Sequence, residues 1–312
     1  MYIGIDIGGM SVKSGVVTHS GDIVAKYAVP TPLNDNDSFM KAVGESVLGA
    51  LKEAGVQKED IEAFGIGSPG VVDREKGLLV DANNIGYSNV PIGEYLRKNI
   101  ADVPVYVEND ANCAALGEYY KSETSSDFIF ITLGTGVGGG IVIGGRLYTG
   151  FNGVAGELGH IVTHPDGEMC TCGRRGCWEV YASVTGLINL TEKHRDEIKG
   201  IAPGEKVSGR TVFDLARKGD SDAQRVRDMW IEEVSIGIVD MLNIFQPEEL
   251  VIGGAISKEG DTLLNPIRQY AYKYIYSSEN LPKKPKIVAS RIGGDAGIIG
   301  AALLHANLGG GN

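Results

Sequence analysis

Two stretches of this chain repeat one pattern, in which an apolar strand runs into glycine and a second strand leaves it. The first is YIGIDIGGMSVKSGVV at residues 2–17, with Gly8 and Gly9 at the tip, and the second is FIFITLGTGVGGGIVIGGRLYTG at 128–150. Each reads as a β-hairpin with a bare-backbone turn. Two such hairpins predict two similar lobes. The 45 glycines fall in short runs and form no repeat, so they mark places where the backbone turns tightly or meets a ligand. Residues 134–139, GTGVGG, match the dinucleotide pattern G-x-G-x-x-G. That pattern requires a helix to begin at the glycines, whereas IVIGGRLY continues as a strand, and a P-loop sequence occurs nowhere in the chain. The remaining readings are ordinary turns or a pair of loops whose amides cradle phosphates.

The rest of the chain alternates strands and helices. Residues 37–55 place Phe39, Met40, Val43, Val47, Leu48 and Leu51 on one helical face and stop at Gly55. AFGIGSPG reads as a strand, and VPVYVEND followed by ANCAALGEYY as a strand turning into a helix. Residues 221–245 carry Val226, Trp230, Val234, Ile238, Met241, Leu242 and Phe245 at helical spacing ahead of the strand LVIGG. The strand PKIVAS and the helix DAGIIGAALLHA close the chain, and the last helix is expected to cross back to the first lobe. The expected domains are a smaller α/β lobe of residues 1–118 plus 294–312 and a larger one of 119–293.

A chain of 312 residues that is 43% hydrophobic can bury a large core. Its apolar runs fall short of the ~18 residues that a membrane helix needs, and Met1 leads directly into a strand, so the expected location is cytoplasmic without membrane contact. A formal charge of −11 with no basic run argues against a nucleic-acid partner.

Three of the four cysteines, Cys170, Cys172 and Cys177, lie within eight residues, ten to seventeen positions after His160. Thiolates with an imidazole suit tetrahedral Zn²⁺, and Gly173 and Gly176 allow the knuckle that folds them inward. The alternative is a disulfide with a free thiol; His164 is a second possible imidazole. Cys113, in an alanine-rich helix, reads as an inert core thiol.

Four carboxylates stand out. Asp6 on the first strand is costly to bury unless it is paired or near a metal, which makes it a candidate partner for hydrated Mg²⁺. Asp110, at a strand end and helix start, is either an N-cap or a catalytic base kept ionised by the helix dipole, with Asn109 beside it to orient a hydroxyl. Glu157 and Glu179 bracket the cysteine cluster. They are either exposed charges or fixed acceptors for several hydroxyls.

The residues GIDIGG, SPGVVD at 68–73, ENDANCAALGE at 108–118, LGTGVGGGIVIGGRLYTG at 133–150, GELGH with CTCGRRGCWE, and LVIGGAIS at 250–257 resemble the repressor, open reading frame and kinase (ROK) family, and the match spans nearly the whole chain. The resemblance implies a two-lobed actin-like ATPase, or ribonuclease H-like, α/β fold with a ligand cleft between lobes. It implies ATP-dependent phosphorylation of a hexose hydroxyl, the 6-OH of glucose or a related aldohexose, with Asp110 as general base. N-acetylmannosamine, mannose, fructose and allose are the alternative sugars; the alternatives of another class are a sugar-responsive regulator and a sugar-binding protein without catalysis. A regulator of the family carries an N-terminal winged helix, whereas here the first strand begins at residue 2.

By the same resemblance Gly70, Asn84, Asn109, Asp110, Glu157, His160 and Glu179 contact the hexose. ATP and its Mg²⁺ are met by Asp6, Gly8, Gly9, Met10 and Lys13, by Gly134, Thr135, Gly136, Gly138 and Gly139, and by Gly253 and Gly254. His160, Cys170, Cys172 and Cys177 hold a structural Zn²⁺, and the assembly is a homodimer or homotetramer. The chain departs from the family at Met10, where threonine is usual, and at Tyr87, where glucokinases of the family often carry tryptophan.

Overall fold

The computed structural model describes residues 1–32, 35–82, 86–122 and 126–308. In chain order the elements begin with β1 (Tyr2–Ile7), β2 (Ser11–Val17), β3 (Ile23–Pro30), α1 (Asn36–Ala54), β4 (Ala63–Ser68), β5 (Val71–Asp73), β6 (Leu78–Ala82) and β7 (Tyr87–Val90). They continue with α2 (Ile92–Asn99), β8 (Val105–Asn109), α3 (Asp110–Tyr120), β9 (Phe128–Leu133), β10 (Val137–Ile143) and β11 (Arg146–Leu147). The remainder are α4 (Trp178–Ala182), α5 (Val184–Lys193), α6 (Thr211–Arg217), α7 (Ser221–Phe245), β12 (Glu249–Gly253), α8 (Asp261–Tyr274), β13 (Lys286–Ala289), α9 (Ala296–Ala302) and α10 (Leu304–Leu308).

The expected repeat appears in the sheets. One has the order β3-β2-β1-β4-β8 and the other β11-β10-β9-β12-β13, the same arrangement position for position. In the first, β1 and β2 form the expected antiparallel hairpin from Tyr2↔Val17 to Ile7↔Val12, while β4 and β8 run parallel to β1. In the second, β12 runs parallel to both β9 and β13. A third sheet, β5-β6-β7, branches from the first loop region after β4.

The chain divides into two compact units, Met1–Ser125 with Gly140–Gly156 and Gly294–Asn312, and Ser126–Gly139 with Glu157–Gly293. In the first unit, Asp35 caps α1 by accepting from the Asp37 and Ser38 amides, and Gly55 ends it at φ 67°. Only a residue without Cβ enters that left-handed conformation cheaply. Phe39, Val43, Val47 and Leu51 are buried as the spacing predicts, but Leu48 is exposed, and Ala42, Ser46 and Ala50 complete the inner face. Leu48 lies beside that buried stripe, at the rim. Helix α9 lies against β1, β4 and α3 at backbone contact: a Cβ on Gly65 would stand 1.7 Å from Ala301 O, and one on Gly300 1.7 Å from Cys113 O. Glycine at these crossings is therefore a packing requirement.

In the second unit, α7 is capped by Asp220 and buries Val226, Trp230, Val234, Ile238, Met241 and Leu242. Phe245, read as part of that face, is half-buried at the helix end. Trp178 packs where α7 carries Gly237, and its Nε1 donates to Glu233 O at 2.8 Å. No described helix is long and apolar enough to cross a membrane.

Candidate functional site

Parallel strands deliver the candidate acids of the first unit to one sheet edge. Asp6 is registered opposite Gly67, and Ser68 opposite Asn109, so the carboxyl ends of β1, β4 and β8 lie side by side. That edge is where open α/β sheets receive ligands. Asn109, not Asp110, is the N-cap of α3: its Oδ1 accepts from the Ala111 and Asn112 amides at 2.9 and 3.3 Å. Asp110 is the first helical residue, its Oδ1 accepting from the Ala111 amide at 2.8 Å. The capping explanation of Asp110 thus passes to its neighbour. Gly70 joins the same edge, with its carbonyl 3.5 Å from Asn109 Nδ2. Its φ of 82° and an Asp81 carbonyl 2.0 Å from any added Cβ exclude other residues there.

Beneath this edge lies a device that the sequence reading missed. Glu108 is fully buried and accepts from Arg74 Nε and Nη2 at 2.7 and 2.6 Å, from the Asn109 amide at 2.8 Å and from Asn112 Nδ2 at 3.0 Å. A bidentate guanidinium with two further donors satisfies a buried carboxylate. Arg74 Nη2 also donates to Gly153 O at 2.9 Å. One signal was available: an acid inside the apolar parallel strand VYVEN demands a buried partner.

Asp6 lies 3.5 Å from Lys13 Nζ. Burial raises its pKa above the ordinary carboxylate value, and the Lys13 charge opposes that shift. Gly8 donates its amide to Ser11 O at 3.0 Å to form the tip of the β1–β2 hairpin, where Met10 is 90% exposed. Tyr87 turns inward: it is buried, its ring stacks on Phe39 at 4.3 Å between centroids, and its hydroxyl donates to Pro32 O. Asn84 lies outside the described residues. Cys113 is fully buried, and desolvation pushes its thiol well above the usual range, as expected of an inert core residue.

In the second unit the two glycine loops meet. Gly253 is registered opposite Thr132, and a Cβ on Gly254, at φ 86°, would stand 2.1 Å from Leu133 O. The 253–254 turn therefore abuts the start of the Gly134, Thr135, Gly136, Gly138 and Gly139 loop. As expected, β10 leaves that loop as a strand and no helix begins there. The carboxylate of Glu179 accepts from the Val137 amide at 2.9 Å. Glu157 directly precedes the short helical turn Leu158–His160, and its carbonyl accepts from the His160 amide.

The ligand atoms of His160, Cys170, Cys172 and Cys177 lie within 4.8 Å of one another. Cys170 Sγ is 3.7 Å from His160 Nδ1 and Cys172 Sγ 3.6 Å from Cys177 Sγ. All three thiols are free, and these two separations are near the ~3.8 Å edge of a tetrahedron built on Zn–S bonds of about 2.3 Å. Burial, then the neighbouring thiols, push Cys177 up to about 12, a crowding that a bound cation would relieve. The cluster gathers His160 and leaves His164 out. His164 stacks on Tyr181 at 4.1 Å, with Nε2 3.5 Å from Glu233, outside the cluster.

Two sheets of one order, with acids and glycine loops at the carboxyl ends of their parallel strands, define an α/β protein of the actin-like, ribonuclease H-like class. Within that class the chain belongs to the ROK family, whose model matches residues 2–307. It is similar to a glucokinase of Halalkalibacterium halodurans, with 36% identity covering 97% of this chain and 94% of that one. Among solved structures it resembles a ROK family glucokinase from Streptomyces griseus in complex with glucose and AMPPNP, at 36% identity and a TM-score of 0.81, covering 97% of this chain and 98% of that one. It also resembles a ROK hexokinase from Thermus thermophilus, at 32% identity and a TM-score of 0.79, covering 97% of each chain.

Proposed function

We propose that this chain transfers the γ-phosphoryl group of ATP to a hexose hydroxyl, the 6-OH of glucose or a related aldohexose. The observation that carries the reading is the placement of Asp110: it opens α3 at the carboxyl edge of the sheet, relieved of capping by Asn109 and standing on the Arg74–Glu108 pair. The similarity to glucokinases over nearly the full length supports it. Asp110, the first residue of α3, accepts the proton of the attacking hydroxyl. Gly70, Asn84, Asn109, Glu157, His160 and Glu179 are assigned to the sugar hydroxyls. The glycine loops at 8–9, 134–139 and 253–254, with Thr135 and Lys13, are assigned to the nucleotide.

Asp6 would hold a Mg²⁺ ion, which would neutralise charge on the phosphates. We assign His160, Cys170, Cys172 and Cys177 to a structural Zn²⁺ that supports the sugar-binding segment Glu157–His160 without activating water. Inward-facing Tyr87, where glucokinases of the family often carry tryptophan, leaves the choice among glucose, mannose, fructose, allose and N-acetylmannosamine to the sugar-contacting loops. A coupled ADP-release assay across these hexoses tests the proposal. Sugar-dependent ADP formation with one aldohexose preferred supports it; tight sugar binding without turnover on any of them refutes it in favour of a regulator or binding protein.

A further inference from the structure

The glycine loop of the second unit is enclosed by the two arms of the His/Cys₃ cluster. On the cysteine arm, Val184 donates its amide to Gly134 O at 2.8 Å, and Thr185 Oγ1 donates to Thr135 O at 2.7 Å. Glu179, two residues past Cys177, spans the gap. Its Oε2 accepts from the Val137 amide at 2.9 Å, and its Oε1 lies 3.9 Å from Cys170 Sγ. Gly136 passes so close that a Cβ would stand 2.2 Å from the same Oε2. On the histidine arm, Gly159, next to His160, meets Val137 from the other side, where a Cβ would stand 2.2 Å from Val137 O, and Leu158 packs on Gly139. Each residue from Gly134 to Val137 therefore touches a residue that lies within eight positions of a cluster ligand.

We propose that Glu179, besides its assignment to the sugar, positions the glycine loop and that the cluster is a clamp, so that a metal ion drawing His160 and Cys177 together fixes the shape of the Gly134–Gly139 loop. The carboxylate transmits this: it faces the thiols with one oxygen and holds the Val137 amide with the other. Losing the ion frees both arms, and the loop loses its carboxylate acceptor and its steric floor. The consequence for catalysis rests on the nucleotide reading above. Metal occupancy then tunes ATP affinity through the loop, in addition to shaping the sugar segment.

The test is amide hydrogen exchange on the full-length, zinc-loaded protein, which needs neither substrate nor turnover. Cys172, the exposed thiol of the cluster, is the mild position to change. In Cys172→Ser, exchange at the Gly136 and Val137 amides should rise about tenfold or more while β12 and β13 keep their protection, a local opening and not a global one. Glu179→Ala with the ion retained should give the same local rise, and Glu179→Gln, which keeps an oxygen for the amide, should restore protection. Unchanged Val137 exchange in Cys172→Ser overturns the proposal, as does a rise spread evenly over β12 and β13. A loop that loosens without altering ATP affinity leaves the clamp standing and counts against the nucleotide assignment.

Discussion

Replacing Asp110 by asparagine separates chemistry from architecture. The change removes one charge and keeps the shape. The two cap bonds of α3 come from Asn109 Oδ1 and survive, as does the Arg74–Glu108 pair. The loss of an acid in the first helical turn is worth about 0.3–1 kcal/mol against the helix dipole. For a chain of this length that is a shift in Tm of under about 3 °C. Loss of a general base lowers turnover by about 10²–10⁴-fold, or roughly 2.7–5.5 kcal/mol of barrier. The two effects therefore differ several-fold in free energy. Steady-state kinetics with the preferred hexose, alongside thermal melting and a sugar-binding titration, read them independently. Turnover within threefold of the wild type would refute the assignment. A fall in Tm of about 10 °C would show that Asp110 holds structure that the hydrogen bonds do not reveal.

Arg74→Lys keeps a charge but loses the fork on Glu108, so kcat should fall about tenfold or more with little change in the KM for ATP. Arg74→Ala, by leaving the buried Glu108 carboxylate short of its partner, should cost about 3–5 kcal/mol in denaturant unfolding. Asp6→Asn tests the linkage. Because burial raises the Asp6 pKa, the folded state binds that proton more tightly than the unfolded chain. Stability from this group is present below the ordinary carboxylate pKa and is lost as pH rises through the folded value. The Tm of Asp6→Asn relative to wild type should thus increase from pH 4 to pH 8, while ATP turnover collapses; a constant difference would refute the burial argument. Native mass spectrometry should find one zinc per chain, and chelation should lower Tm; metal-free protein with an unchanged Tm would dismiss the His160/Cys170/Cys172/Cys177 assignment.

Much of this was legible because it depends on local periodicity. The hairpin at 2–17, the capped helix ending at Gly55 and the strand leaving GTGVGG follow from residue spacing alone. The cysteine spacing named the thiols but left His160 and His164 open, since both are in reach of the knuckle. The fold separates them by placing His160 Nδ1 3.7 Å from Cys170 Sγ while His164 stacks on Tyr181. Asp110 and Asn109 were both visible at a helix start, but which one caps depends on a single residue of register. Arg74 and Glu108 are 34 positions apart, a pairing set by tertiary folding that no local pattern encodes. Leu48 fits the helical period and is nonetheless exposed, because alanine and serine supply the inner face.

Phosphoryl transfer from ATP to a hexose hydroxyl is read most directly by ³¹P nuclear magnetic resonance of a reaction containing the purified protein, Mg²⁺, ATP and glucose. A hexose 6-phosphate resonance should grow in step with ADP, and neither should appear when glucose is omitted. ADP accompanied by inorganic phosphate, or ATP left intact while glucose binds, would contradict it.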